Sequence, residues 1–219
     1  MAKAVVQHKK VEEQDFISEV ASPEVKIVKS KLRKPKNAER REREHLTPHE
    51  VEQLIKTAKA SGRHGHRNST MILLAFRHGL RVSELVNLKW LQVDLFQGLL
   101  YVHRRKGGVH TTHPLAGVEI RALRKLQRDY PETDFLFVSE RKGPITDHGF
   151  RKLLSRITDD SPLKFDVHPH MLRHATGFKL ANDGIDTRSI QHYLGHKSIR
   201  HTTRYTELAS DRFKNFWMD

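Results

Sequence analysis

The stretch "HPHMLRH", His168 to His174, packs three histidines and an arginine into about two helical turns of a 219-residue chain that has sixteen histidines and no cysteine. Pro169 suits the first position of a helix. On that helix His170 and Arg173, three residues apart, share a face. Together they offer one titratable nitrogen and one permanent cation to the same small anion. Further on, "YLGHKSIRHTTRYT" (Tyr193 to Thr206) sets His196 directly after Gly195 and Tyr205 nine residues later. A tyrosine hydroxyl, with an ordinary pKa of about 10, is a poor nucleophile unless cations and a base surround it. The region from Pro169 onward therefore reads as mostly helix, punctuated by Gly184 and Gly195, with the residues needed to surround Tyr205.

Toward the N-terminus the pattern stays largely helical. "LTPHEVEQLIKTAKA" supplies Thr47 as N-cap, Pro48 at the first helical position and Glu50 at the capping-box position, then an apolar face of Val51, Leu54, Ile55 and Ala58. "STMILLAFRHG" reads as a buried helix closed by Gly79, and "RVSELVNLKW" as another starting almost at once, which puts Arg81 at a tight junction. His64 and His66 in "RHGHR" read as loop. From Val93 to Leu115 the period changes. "GLLYVHRR" and "VHTTHPL" are extended runs flanking "KGG", a hairpin with Lys106 at its turn. "AGVEIRALRKLQRDY" is an amphipathic helix, "DFLFVS" a short strand, and "TDHGFRKLLSRI" a helix opened by Thr146. The fold class is a mainly helical domain with a small antiparallel sheet (α+β), spanning residues 45–219, without internal repeats.

Residues 1–44 are polar and read as a basic tail. Lys29 to Arg43 carries eight positive and two negative side chains around Pro35, a composition that cannot bury a core but can lie along phosphates or serve as a solvated linker. The candidates there are Lys29, Lys31, Arg33, Lys34, Lys36, Arg40, Arg41 and Arg43. Across the chain, 40 Lys and Arg against 26 Asp and Glu give a net charge of +14. That charge points to an anionic partner, nucleic acid ahead of a membrane surface. Lack of cysteine excludes disulfides and thiolate zinc sites. The longest apolar run, "MILLAF" (Met71 to Phe76), is far too short to span a bilayer, and the first thirty residues contain no apolar core of signal-peptide length. The expectation is a soluble, cytoplasmic protein with no membrane partner.

Taken in order, "GLRVSEL", "RRKGG", "HMLRH", "LGH" and "RYT" resemble the catalytic core of the tyrosine site-specific recombinases, the phage integrase family, over about residues 45–210. "GIDTR", "IQHYLGH" and "IRHT" resemble in particular the compact members that invert fimbrial promoter switches. The resemblance implies that Tyr205 attacks the scissile phosphorus and forms a 3′-phosphotyrosyl bond. By the same likeness Arg81 and Arg173 clamp the non-bridging oxygens, Lys106 protonates the leaving 5′ oxygen, His170 takes the tyrosine proton, and His196 donates a hydrogen bond to phosphate. Glu84 would orient a neighbour, and Arg104 and Arg105 would meet DNA beside the hairpin turn. It also implies no metal or nucleotide cofactor, double-stranded DNA as partner at the nucleoid, and a homo-tetramer on synapsed sites. A typical member carries a separate DNA-clamping domain ahead of the core. Here the 44-residue tail precedes it, so a DNA-bending helper protein is a further expected partner. The aromatic face Phe213, Phe216 and Trp217 is expected to pack on its own domain or on a neighbouring protomer.

Other readings stay open on residues alone. Each candidate, taken singly, is an ordinary capping, core or solvated side chain. A zinc site could draw on His192 and His196, or on the cluster His168, His170 and His174. A relaxing topoisomerase of the same chemistry and a catalytically silent DNA-binding regulator are the competing functions.

Overall fold

The computed structural model describes residues 43–104 and 109–207. Helix α1 (Pro48–Ala60) starts as its sequence demands: the Thr47 hydroxyl accepts from the Glu50 N–H at 3.3 Å, and the Glu50 carboxylate accepts from the Thr47 N–H at 2.8 Å. Arg43 closes on the same carboxylate at 2.6 Å and lies over the Phe165 ring. Val51, Leu54 and Ala58 are buried where α1 packs on α2 (Gly65–Arg77). Each such side chain contributes about 1.5–3 kcal/mol on leaving water if a leucine, less if alanine. Helix α2 is buried on most sides, with Met71, Ile72, Leu74 and Ala75 in the main core.

A single turn, α3 (Val82–Leu85), follows, then a short 3-10 turn at Trp90–Gln92. A three-stranded antiparallel sheet comes next, β1 (Val93–Asp94), β2 (Leu99–Val102) and β3 (Thr111–Pro114), in that spatial order. Leu100 faces His113 and Val102 faces Thr111 across β2 and β3. Leu100 and Val102 are buried and the intervening Tyr101 exposed, the period of two that a half-buried strand requires. Helices α4 (Gly117–Asp129) and α5 (Asp147–Asp159) complete the larger core, α5 opened by Thr146, whose hydroxyl accepts from the Gly149 N–H.

Three helices close the described chain: α6 (Pro169–Asn182), α7 (Thr187–Leu194) and α8 (Arg200–Glu207). They enclose a second, smaller core of Phe178, Ala181, Ile190, Leu194 and Tyr205. Tyr205 therefore belongs to a packing unit of its own.

Several expectations need correction. "RVSELVNLKW" forms one helical turn, Val82–Leu85, after which the chain passes into the 3-10 segment. "DFLFVS" makes only isolated bridges, Lys89 to Phe135 and Val138 to Pro144, outside the sheet. "RHGHR" is no loop: His64 caps α2, and His66 lies within it, hydrogen-bonded to the Ala122 carbonyl at 2.9 Å. The tail up to Arg41, the hairpin tip with Arg105 and Lys106, and the aromatic C-terminal segment lie outside the described residues.

The junction after α2 depends on Gly79. Its φ is +55°, and a Cβ there would lie 2.3 Å from Leu194 Cδ2. Gly79→Ala is expected to destabilise the domain by about 1–3 kcal/mol, read as a lower urea midpoint. An unchanged midpoint would mean that α2 and α7 do not approach this closely.

Candidate active site

The site forms where α2, α3, α6 and α7 end or begin near one another. Arg173, on α6, is buried. Its two terminal nitrogens donate to the carbonyls of Gly79, just past α2, and Leu194, the last residue of α7, the latter at 2.6 Å. Both acceptors are carbonyls that helix ends leave unpaired. Burial, reinforced by the charges of Arg81 and Arg104, lowers the Arg173 pKa to about 9.

Glu84 lies at the centre of a second group. Its carboxylate accepts from the Arg81 N–H at 2.9 Å, from Arg81 Nη1 at 2.8 Å and from Arg104 Nη1 at 2.7 Å. Burial alone would raise its pKa, but Arg104, then the backbone and side chain of Arg81, hold it below the usual carboxylate value. Arg104 also donates to the Tyr193 carbonyl. Gly195 (φ +63°) permits this, since a Cβ there would lie 2.8 Å from Arg104 Cγ. Arg104, expected at the DNA surface, is thus a buried brace with a fully covered side chain. Arg81, by contrast, keeps about a third of its side chain exposed, at 34%, so it can still reach an anion.

Tyr205 is buried on α8. Its hydroxyl is 2.9 Å from His174 Nδ1, and its ring lies 6.2 Å from the His196 ring in near-parallel orientation. Gly177 makes room for it, since a Cβ there would come within 2.5 Å of Tyr205 Cε2. Burial raises the Tyr205 pKa, opposed by the cations Arg173, Arg204 and Arg81. His196 pairs through Nδ1 with the Thr202 hydroxyl at 2.8 Å; burial first, then Arg173 and Arg81, bring its pKa down to about 3. His170 is exposed, one turn before His174, with ring centroids 5.4 Å apart.

The structure thus brings together Arg81, Glu84, Arg173, His196 and Tyr205, with His170 at the rim. Strands β2 and β3 lead into and out of the segment bearing Lys106, which lies outside the described residues. Reading the sequence missed His174, and its signal was present: it lies one residue after Arg173, within the same "HMLRH" run. It also missed a buried polar network behind the site. There His78 Nε2 pairs with Glu119 at 2.8 Å, His78 Nδ1 faces His113 Nδ1 at 3.1 Å, and the His113 ring stacks on Tyr193 at 3.9 Å. This network ties β3, and with it the hairpin, to α2 and α7. Among the described residues no cluster of three or more His, Asp or Glu is placed to hold a metal, and α7 ends at Leu194, short of His196.

One buried and one partly exposed guanidinium, with a tyrosine and an imidazole alongside, form a cationic pocket suited to a tetrahedral anion, the arrangement of a tyrosine recombinase catalytic domain. The chain belongs to the phage integrase family, whose model matches residues 44–212. The type 1 fimbriae regulatory protein FimB of Escherichia coli strain K12 is 42% identical over 185 residues, covering 82% of this chain and 92% of FimB. Tyrosine recombinase XerC of Bacillus subtilis strain 168 is 32% identical over 189 residues, 82% of this chain and 62% of XerC. The crystal structure of XerA recombinase superposes with a TM-score of 0.68 at 27% identity, over 78% of this chain and 63% of that one. Relative to XerC and XerA, then, the chain spans about three fifths of the partner's length. The recombinase fold and class expected from the sequence are borne out. Among the described residues no helix is long and apolar enough to cross a membrane.

Two outcomes follow from the buried charges. His113 and His196 are held at about 3 and His174 at about 4, all chiefly by burial, against 6.5 in the unfolded chain. The unfolded state then binds more protons below pH 6.5, so stability falls as pH drops from there toward 3. Glu84 and Glu119, whose values are lowered, stabilise the fold above about pH 4.5 and lose that contribution as pH falls through their folded values. Urea midpoints are expected to decline steadily from pH 7 to pH 4, and a flat profile would contradict neutral buried imidazoles. Glu84→Gln leaves Arg104 buried without a counter-charge and is expected to cost about 3–5 kcal/mol, measured in the same assay at pH 7.

Proposed function

We propose that this chain binds double-stranded DNA, cuts one strand at a specific site through Tyr205, and rejoins it to a new partner, with inversion of a promoter-bearing segment as the outcome. The observation that carries this reading is the burial of Tyr205 beside His196, within the field of Arg173 and Arg81. The likeness to a fimbriae regulatory protein over nearly its whole length supports promoter inversion as the outcome.

In this reading the scissile phosphate sits between Arg81 and Arg173, whose planar guanidiniums meet the oxygens that gain charge in the transition state. With the Thr202 hydroxyl donating to His196 Nδ1, the ring proton lies on Nε2 and serves as a donor to phosphate. His170 faces the same anion from the rim, Glu84 orients Arg81, and Lys106 protonates the leaving 5′ oxygen. An exposed basic cleft of about 720 Å³, lined in part by Arg63, Arg141, Lys152 and Arg156, supports broad phosphate contact. The tail from Lys29 to Arg41 would add to it. Assembly into a tetramer on two synapsed sites, with the segment Asp211–Asp219 as the exchanged element and a DNA-bending protein assisting, completes the proposal.

The buried nucleophile, still beside its cations, disfavours a silent regulator, and strand exchange between two sites would separate recombination from relaxation. Tyr205→Phe is expected to abolish the covalent protein–DNA adduct on denaturing gels while leaving DNA affinity within about twofold. An adduct in that variant would remove Tyr205 from the role.

A further inference from the structure

The hydroxyl of Tyr205 must lose its proton as it attacks phosphorus. In the structure that oxygen lies 2.9 Å from His174 Nδ1. Helix α6 shapes a seat for the phenol, with His174 at the hydroxyl, Gly177 beneath the ring and Phe178 edge-on at 5.2 Å. His174 is half-buried, whereas His170 is exposed one turn earlier. The two rings thus differ in place: His174 meets the Tyr205 hydroxyl, and His170 lies exposed near the start of the helix.

We propose that His174 is the catalytic proton acceptor for Tyr205, a role that rests on Tyr205 being the nucleophile. As Tyr205 Oη bonds to phosphorus, its proton passes to His174 Nδ1, the phosphorus–O5′ bond breaks, and the leaving oxygen takes a proton from Lys106. On rejoining, the 5′-hydroxyl attacks phosphorus and returns its proton to Lys106. The phosphorus–Oη bond breaks, and the imidazolium gives its proton back to Tyr205.

The surroundings fit this use. Burial comes first among the influences that hold the imidazole at about 4, followed by His170, Arg173, His168 and His45. Nδ1 is therefore unprotonated at neutral pH and free to accept. A phosphate clamped by Arg173 and Arg81 cancels the cationic part of that influence and raises the basicity of the ring.

His174→Asn separates this role from a structural one, because its amide oxygen falls near the position of Nδ1 and keeps the hydrogen bond without taking up a proton. The substrate is a nicked duplex bearing the recombination site, mapped by sequencing rearranged junctions. It is made with either a normal scissile phosphate or a sulfur in place of the bridging 5′ oxygen. A thiol, with a pKa of about 8.5, leaves without protonation, so the sulfur substrate restores variants that lack the acid. His174→Asn is expected to bind DNA and melt as the parent protein does, to form adduct roughly 10²–10⁴-fold more slowly, and to gain nothing from sulfur. Lys106→Ala is expected to be restored by it. Parent-like or faster cleavage by His174→Asn, or its restoration by sulfur, would overturn the proposal. Should the Asn protein melt early, its adduct formation is read by the same criteria at a temperature where it is folded. If the parent protein forms no adduct, or Tyr205→Phe forms one, the nucleophile assignment falls and this proposal with it.

Discussion

The buried carboxylate of Glu84 holds two arginines at once, and the rest of the site is arranged around that contact. Its oxygens are shared between Arg81, which keeps an exposed face, and Arg104, which has none. Isolated in a dry interior, either charge would be costly. Paired and hydrogen-bonded, they fix the turn after α2 to the strand that enters the hairpin. Through its second bond, to the Tyr193 carbonyl, Arg104 extends the tie to α7. Three segments far apart in sequence are thereby registered by one acidic side chain and its two partners.

Arg173 is solved differently. Its partners are neutral backbone carbonyls, one just past α2 and one at the end of α7, not a carboxylate. Helix C-termini carry partial negative charge, enough to hold a guanidinium in place but not to neutralise it. The difference matters for chemistry. A carboxylate partner would compete with phosphate for the cation, whereas carbonyl partners fix its orientation and leave its charge uncancelled. One acid for three arginines, Arg81, Arg104 and Arg173, leaves the cluster about two charges positive, which suits an anionic ligand.

The sequence was legible where a local rule governs. Thr47, Pro48 and Glu50 announce α1; Thr146 announces α5; Pro169, Gly184 and Gly195 bracket the last helices; and the extended runs around "KGG" became β2 and β3. The order of the motifs singled out Arg81, Glu84, Arg173, His196 and Tyr205, which the fold brings together. Tertiary pairing was not legible. Nothing local to "HRRKGG" marks Arg104 as buried, because its burial depends on Glu84 twenty residues away. In the same way, "RVSELVNLKW" has helical composition, yet it makes a single helical turn before the 3-10 segment. His174 was passed over for a related reason. Spacing singles out His170 as the partner of Arg173 on one helical face, but the contact to Tyr205 comes from the seat that Gly177 opens on α6.

That seat also explains how Tyr205 is accommodated while buried. A phenol in an apolar core needs a partner for its hydroxyl, and His174 supplies one while Phe178 and Gly177 take the ring. The packing that belongs to the small core of α6, α7 and α8 and the chemistry that belongs to the phosphate therefore meet at a single oxygen. Movement of α8 relative to α6 would break the hydrogen bond and take Tyr205 away from the neighbouring cations in the same step. Because Arg173 is anchored to the last residue of α7 and Tyr205 to a slot on α6, the relative placement of these helices decides whether the cluster is assembled. The catalytic geometry is thus a property of three-helix packing, with the individual side chains serving as its fixed points.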